Sequence, residues 1–289
     1  LHTRESTLMT AIALTIAGSD SGGGAGIQAD LKTMSALGVY GASVITAITA
    51  QNTLGVTAVH DVPTDIVAAQ FDAVCDDLAV DAIKIGMLSS VALVETVANK
   101  LVQCPDIPVV LDPVMVAESG DSLLAEDAVS AIRNSLFPLA TLITPNLHEA
   151  AKLLGGEMAA TPAAMVEQAH ALRALGANAV LLKGGHSASQ DAADIFVDAD
   201  GGEHWFSAPF IDTKNTHGTG CSLSSAIASG LAKGLTLNKA IGAAKTWLTA
   251  AIDNADTLSI GSGAGPVHHF HAVWPALLVE GQAHEEPTL

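Results

Sequence analysis

Cations are scarce in this chain: 12 Lys and Arg stand against 30 Asp and Glu, for a formal net charge of −18. Binding along a nucleic-acid backbone needs clustered Lys and Arg, so that class of function is excluded. An anionic ligand would have to be held locally, by backbone amides, a few placed cations or a metal ion. Cysteine is sparse as well. Cys75, Cys104 and Cys221 have neither metal-ligand spacing nor the density of a disulfide scaffold, which implies a reducing compartment. No stretch approaches the ~20 apolar residues of a membrane span, and the short apolar run after Arg4 meets no signal-like cleavage site. A soluble, cytoplasmic protein is expected.

What remains is strongly apolar. Hydrophobic residues make up 49% of the 289 and charged residues 15%, enough for a large core. Short β-branched or apolar runs recur at 11–17, 43–50, 81–86, 108–114, 141–146 and 179–184. They are nearly continuous in hydrophobicity rather than alternating, as strands covered on both faces are. Helical patterns lie between them, at 64–78, 90–102 and 161–176, several opened by a Ser or Thr suited to an N-cap. Alternation of this kind predicts a single-domain, three-layer α/β/α fold with a mostly parallel sheet and right-handed crossovers. The stretch 194–210 has two strand-like runs joined through Asp-Gly-Gly and predicts an antiparallel edge hairpin. Helices are expected at about 221–234 and 238–253. The domain is expected over 11–275, with flexible termini at 1–10 and 276–289.

Two glycine-rich loops carry the chemistry. In IAGSDSGGGAGIQAD, Gly24, Gly26 and Ala29 fit a dinucleotide fingerprint, but no acidic residue between Asp30 and Asp61 is available for a ribose, and no Lys-Ser or Lys-Thr completes a phosphate-binding P-loop. The loop instead lets a ligand approach the backbone closely. In HGTGCS, small residues leave the amides of Gly218, Thr219, Gly220 and Cys221 uncovered where a helix begins, which is an anion site suited to a transferring phosphate. The helix field should draw the Cys221 thiol below its reference pKa of about 8.5 and fit it to accept a proton from a substrate hydroxyl. A nucleophilic Cys221–His217 pair is the competing reading. Cys75 and Cys104 read as small buried hydrophobes.

Further candidates stand at the C-terminal ends of expected strands, where open α/β sheets bind ligands. Asp112 closes PVVLD, Lys183 closes AVLLK, and Asn146 and Glu149 follow TLIT at a spacing that could put both side chains on one helix face. Oxygen ligands so few in number suit Mg²⁺, which keeps waters and bridges phosphates. Lys183 is placed to neutralise phosphate charge. His268, His269 and His271 invite a metal reading, but without an acidic or cysteine partner nearby they read better as C-terminal packing.

Taken together, IAGSDSGGGAGIQAD, ITAQNT, KIGML, LDPVM, TPNLHEA, LLKGGH, DTKNTHGTGCSLSSAIA and GPVHHFH resemble the hydroxymethylpyrimidine and phosphomethylpyrimidine kinases of thiamine biosynthesis, in the ribokinase-like superfamily. The resemblance implies ATP-dependent phosphorylation, with Mg²⁺, of 4-amino-5-hydroxymethyl-2-methylpyrimidine and then of its monophosphate. It implies pyrimidine contacts at Gly18, Asp30, Gln51, Met87 and Val114. It further implies a metal region at Asp112 and Glu149, nucleotide contacts at Asn146, Lys183 and Thr219, and an anion hole with its base at Gly218, Gly220 and Cys221. Family members are commonly homodimers. A pyridoxal kinase of the same superfamily and a non-catalytic pyrimidine or nucleotide sensor are the alternatives.

Overall fold

The computed structural model describes residues 10–115, 126–185 and 191–274, so all but one residue of the expected flexible termini lie outside the described residues. Strand β1 (Ile12–Ala17) leads into α1 (Gly26–Ala36), followed by β2 (Tyr40–Ile45), β3 (Ala47–Asn52), β4 (Gly55–Asp61), α2 (Thr64–Cys75), β5 (Ala82–Ile85), α3 (Val91–Leu101), β6 (Val109–Leu111) and α4 (Glu126–Ala131). The chain continues through β7 (Leu142–Ile143), α5 (Leu147–Leu154), α6 (Pro162–Ala174), β8 (Val180–Lys183), β9 (Asp191–Val197), β10 (Glu203–Pro209), α7 (Thr219–Ala232) and α8 (Leu237–Asp253).

Eight strands form one sheet in the order β10-β9-β8-β7-β6-β5-β1-β2. From β2 to β8 the pairs are parallel, while β9 runs antiparallel to β8 and β10 antiparallel to β9. The expected edge hairpin is thus β9–β10. Parity explains the continuous hydrophobicity of the strands. Ile83, Ile85, Val109, Leu111, Ile143, Val180 and Leu182 pack in one core with α2, α3, α5 and α6. Their neighbours Ala82, Val110, Leu142 and Leu181 pack in a second core with α7 and α8. Every inner strand therefore needs apolar residues at both parities.

One expected strand is corrected. The run at 43–50 is two strands in different sheets: β2 ends at Ile45, and β3 leaves to pair antiparallel with β4, a strand not foreseen. The break falls at Thr46, wholly buried, whose amide reaches Ala17 O at 3.0 Å and whose hydroxyl donates to Met87 O at 3.0 Å. β-Branched residues favour extended backbone throughout and leave no mark of the point where a strand changes partner.

Candidate active site

Because β1, β5, β6, β7 and β8 are parallel, the segments that follow them open on one edge of the sheet. Asp112 follows β6 directly and is almost wholly buried; its Oδ1 accepts from Lys183 Nζ at 3.0 Å and from Thr144 Oγ1 at 3.1 Å. Lys183 ends β8. Burial works against its charge, but Asp112 and Glu149 outweigh it and hold the ammonium above its ordinary pKa.

Asn146 and Glu149 form a capping box on α5: Asn146 Oδ1 accepts from the Glu149 amide at 2.9 Å, and Glu149 Oε2 accepts from the Asn146 amide at 2.8 Å. The expected shared helix face is therefore corrected, since Asn146 stands before the helix and turns back on it. Burial, with Asp112 adding to it against the pull of Lys183, pushes the Glu149 carboxyl up to about 7.

The second glycine loop delivers α7 to this pair. Gly218 is the N-cap, with φ +81°, and the first helical hydrogen bond runs from the Ser222 amide to Gly218 O at 2.8 Å. First-turn amides have no partner inside a helix. The Thr219 amide, expected to be open, instead donates to Thr216 O at 3.1 Å; Gly220 and Cys221 remain as the donors of the turn. A Cβ placed on Gly220 would lie 3.4 Å from both Asp112 Oδ2 and Lys183 Nζ, so the loop rests directly on the ion pair.

The first glycine loop locks against the second. Asp20 gathers the amides of Gly22, Gly24 and Ala25 at 2.8, 3.0 and 2.8 Å, and its Oδ2 meets His217 Nε2 at 2.9 Å. Burial opposes ionisation of Asp20, yet His217 and the amides of Ala25 and Gly22 hold its pKa below the ordinary carboxylate value. Gln51 Nε2 also approaches His217 Nε2, at 3.5 Å. These contacts favour a loop-locking His217 over one that activates Cys221. A Cβ on Gly218 would meet Gly24 O at 1.9 Å, which shows how closely the loops interlock.

Cys221 sits between them, half-buried, with the Gly26 amide donating to its sulfur. The expected low pKa is corrected: burial pushes the thiol up to about 11, Lys84 draws it down, and Asp30 and Asp112 raise it further.

Of the expected pyrimidine contacts, Gly18 and Met87 adjoin, since a Cβ on Gly18 would lie 2.6 Å from Met87 Cε. Val114 follows Asp112 in a tight turn, and Gln51 lies beside His217. Asp30 is different. It is wholly buried and already accepts from Lys84, Thr15 and Ser225, so it presents no surface to a ligand and supports the site from behind. Asp20, Thr144 and Lys84 escaped the sequence reading. Asp before three glycines was a signal for a side chain bonding its own loop; a Lys inside the apolar run DAIKIG was a signal for a buried partner. At the C-terminal end, His269 is buried against Ser222 Oγ at 3.0 Å and Trp247, and His268 against Trp274, the contacts of packing residues.

Among the described residues no three His, Cys, Asp or Glu side chains form a cage for a metal ion. The two carboxylates Asp112 and Glu149, beside an anion loop, fit a cation that keeps its waters and shares phosphate oxygens, as Mg²⁺ does. No described helix is long and apolar enough to cross a membrane.

Residues 20–268 match the family model described as phosphomethylpyrimidine kinase. The chain is 60% identical over 266 residues to a hydroxymethylpyrimidine/phosphomethylpyrimidine kinase of Rhizobium meliloti, covering 92% of this chain and 99% of the relative. Among solved structures it is similar to an ADP complex of Bacillus subtilis pyridoxal kinase, with TM-score 0.84, 40% identity, and coverage of 91% of this chain and 98% of that one. It is also similar to a phosphomethylpyrimidine kinase of Clostridium difficile, with TM-score 0.74, 42% identity, and coverage of 84% and 100%.

Proposed function

Because the chain belongs to the phosphomethylpyrimidine kinase family, we propose that it transfers the γ-phosphoryl group of ATP to the hydroxyl of 4-amino-5-hydroxymethyl-2-methylpyrimidine, and then a second phosphoryl group to the monophosphate, in thiamine biosynthesis. One observation carries the reading to chemistry: the anion loop lies against the Lys183–Asp112 pair with Cys221 beside it. Phosphoryl transfer passes through a loose transition state in which charge spreads over the phosphoryl oxygens, so positioning and electrostatics do most of the work. The amides of Gly220 and Cys221 and the helix dipole meet that charge, and Lys183 neutralises phosphate oxygens.

Asn146, Lys183 and Thr219 line the nucleotide side in this reading. Mg²⁺, held by Asp112 and Glu149, would screen the charge between phosphates. Cys221 accepts the substrate proton. With its thiol near 11, the reactive thiolate is a minor species at neutral pH, and in a loose transition state the proton needs to leave only late. Gly18, Met87 and Val114 pack the ring, and the Gln51 amide matches its amino and ring-nitrogen edge. The protein is a cytoplasmic homodimer in this reading; the exposed Ile48 of the separate β3–β4 ribbon and Leu54 of its turn offer apolar surface for self-association.

The test is a mass-resolved product assay with ATP, Mg²⁺ and the pyrimidine alcohol. Successive appearance of the mono- and diphosphate is expected; ATP consumption without either product defeats the reading. The likeness to pyridoxal kinase gives the second reading its standing. The two share phosphate handling and differ at the ring edge.

A further inference from the structure

Thr15 on β1 and Lys84 on β5 are cross-strand partners, both wholly buried, and each is the one polar residue of an otherwise apolar strand. Lys84 Nζ donates to both carboxylate oxygens of Asp30 on α1, at 2.9 and 2.8 Å. The same carboxylate accepts from Thr15 Oγ1 at 2.6 Å and from Ser225 Oγ at 2.6 Å. Ser225 lies about one helical turn beyond Cys221 on α7. Two strands and two helices thus meet on one carboxylate. Gly86 makes room for the ammonium, since a Cβ there would lie 2.8 Å from Lys84 Nζ and 3.0 Å from Ala17 Cβ.

Stability alone does not account for this pair. Burying an ammonium and a carboxylate carries a desolvation cost that their attraction offsets only with good geometry, and apolar residues of equal volume often do as well or better. What the pair supplies and apolar residues cannot is charge at a fixed place. We infer that Lys84 is a positioning residue of the proposed phosphoryl-transfer site: with Asp30 it ties the first turns of α7 to α1 and fixes a charge about one helical turn from Cys221. Only its consequence for turnover rests on the kinase reading.

The charged groups that act on the thiol are Lys84 from β5, Asp30 from α1, Asp112 after β6 and Lys183 at the end of β8. Lys84 is foremost among the influences that draw the thiol down against burial. Removing its charge therefore leaves burial, Asp30 and Asp112 to raise the thiol further.

The experiment uses Cys75→Ser/Cys104→Ser protein, in which Cys221 is the remaining cysteine, and follows iodoacetamide alkylation against pH. Lys84→Gln, which keeps a donor to Asp30 and removes the charge, is expected to alkylate about tenfold more slowly at about pH 9, because a nearby opposite charge is worth one to three pKa units. Lys84→Arg, which keeps the charge, should stay within about threefold of the background. A folded Lys84→Gln protein that alkylates within about twofold of the background overturns the inference; a merely structural pair would change melting temperature without moving the alkylation profile. If Lys84→Gln does not fold, Lys84→Met/Asp30→Asn removes both charges. With the charged tie between α1, β5 and α7 gone, the alkylation profile is expected to move away from that of the background, and an unchanged profile overturns the inference. Slowed alkylation in a protein that makes no phosphorylated pyrimidine defeats the kinase reading alone; unchanged alkylation in an active kinase defeats this inference alone.

Discussion

At Cys221 burial and the surrounding carboxylates work against the thiolate, while Lys84 and the Gly26 amide favour it. If the thiolate takes the substrate proton, two outcomes follow. Cys221→Ala should lower turnover by about 10² to 10⁴-fold and spare ATP affinity, the range for losing a general base; steady-state kinetics with a nucleotide-binding titration check this. In the parent, kcat/KM should climb with pH through the neutral and alkaline range toward the thiol's pKa of about 11, whereas a profile flat above neutrality would leave Cys221 as a hydrogen-bond donor to the phosphate. Asp112, Lys183 and Cys221 were legible in the sequence because each ends a strand or opens a helix, places that local pattern marks. The thiol's pKa was not, because the helix-terminus argument is local while burial and Asp30 arrive from distant elements. Asp30 was misread for the same reason: Lys84 and Ser225, its partners, lie 54 and 195 residues away along the chain.

Elements obey the same division. Continuous apolar runs separated by helical patterns made the three layers readable, and the Asp-Gly-Gly turn marked the β9–β10 edge, since such patterns report burial and turns directly. The split of 43–50 into β2 and β3 was not readable, because it depends on pairing with β4 and on buried polar contacts of Thr46. The start of α7 shows how tightly two elements constrain each other. Gly218 combines φ +81° with a missing Cβ that would lie 1.9 Å from Gly24 O, so Gly218→Ala must both strain the backbone and part the two glycine loops. Strained backbone of this kind costs about 1–3 kcal/mol. Gly218→Ala is expected to lower the melting temperature and to lose most of its turnover. Wild-type kinetics in that variant would mean that the loop contact does not hold the site.

For the molecule as a whole, the buried His269 ties the C-terminal segment to α7 and couples folding to pH. Burial, helped by Lys32, His268 and His271, pushes its pKa down to about 3 from an ordinary 6.5. Between those values the unfolded chain binds a proton that the folded one refuses, so this contribution is complete above about 6.5 and is lost as pH falls toward 3. At about 1.4 kcal/mol per unit, the loss is on the order of 5 kcal/mol. Denaturant titrations across that range should show a shallower acid dependence in His269→Gln than in the parent; parallel curves would refute the coupling. The central claim, a kinase whose pocket reads an aminopyrimidine edge, is tested most directly by kcat/KM for the hydroxymethylpyrimidine and for pyridoxal, measured side by side with ATP and Mg²⁺. A site built around the Gln51 amide leaves buried groups unpaired when pyridoxal binds, so the pyrimidine should be favoured by on the order of 10²-fold or more, with the gap narrowed in Gln51→Leu mainly by loss of the pyrimidine reaction. Equal efficiencies, or a preference for pyridoxal, would contradict it.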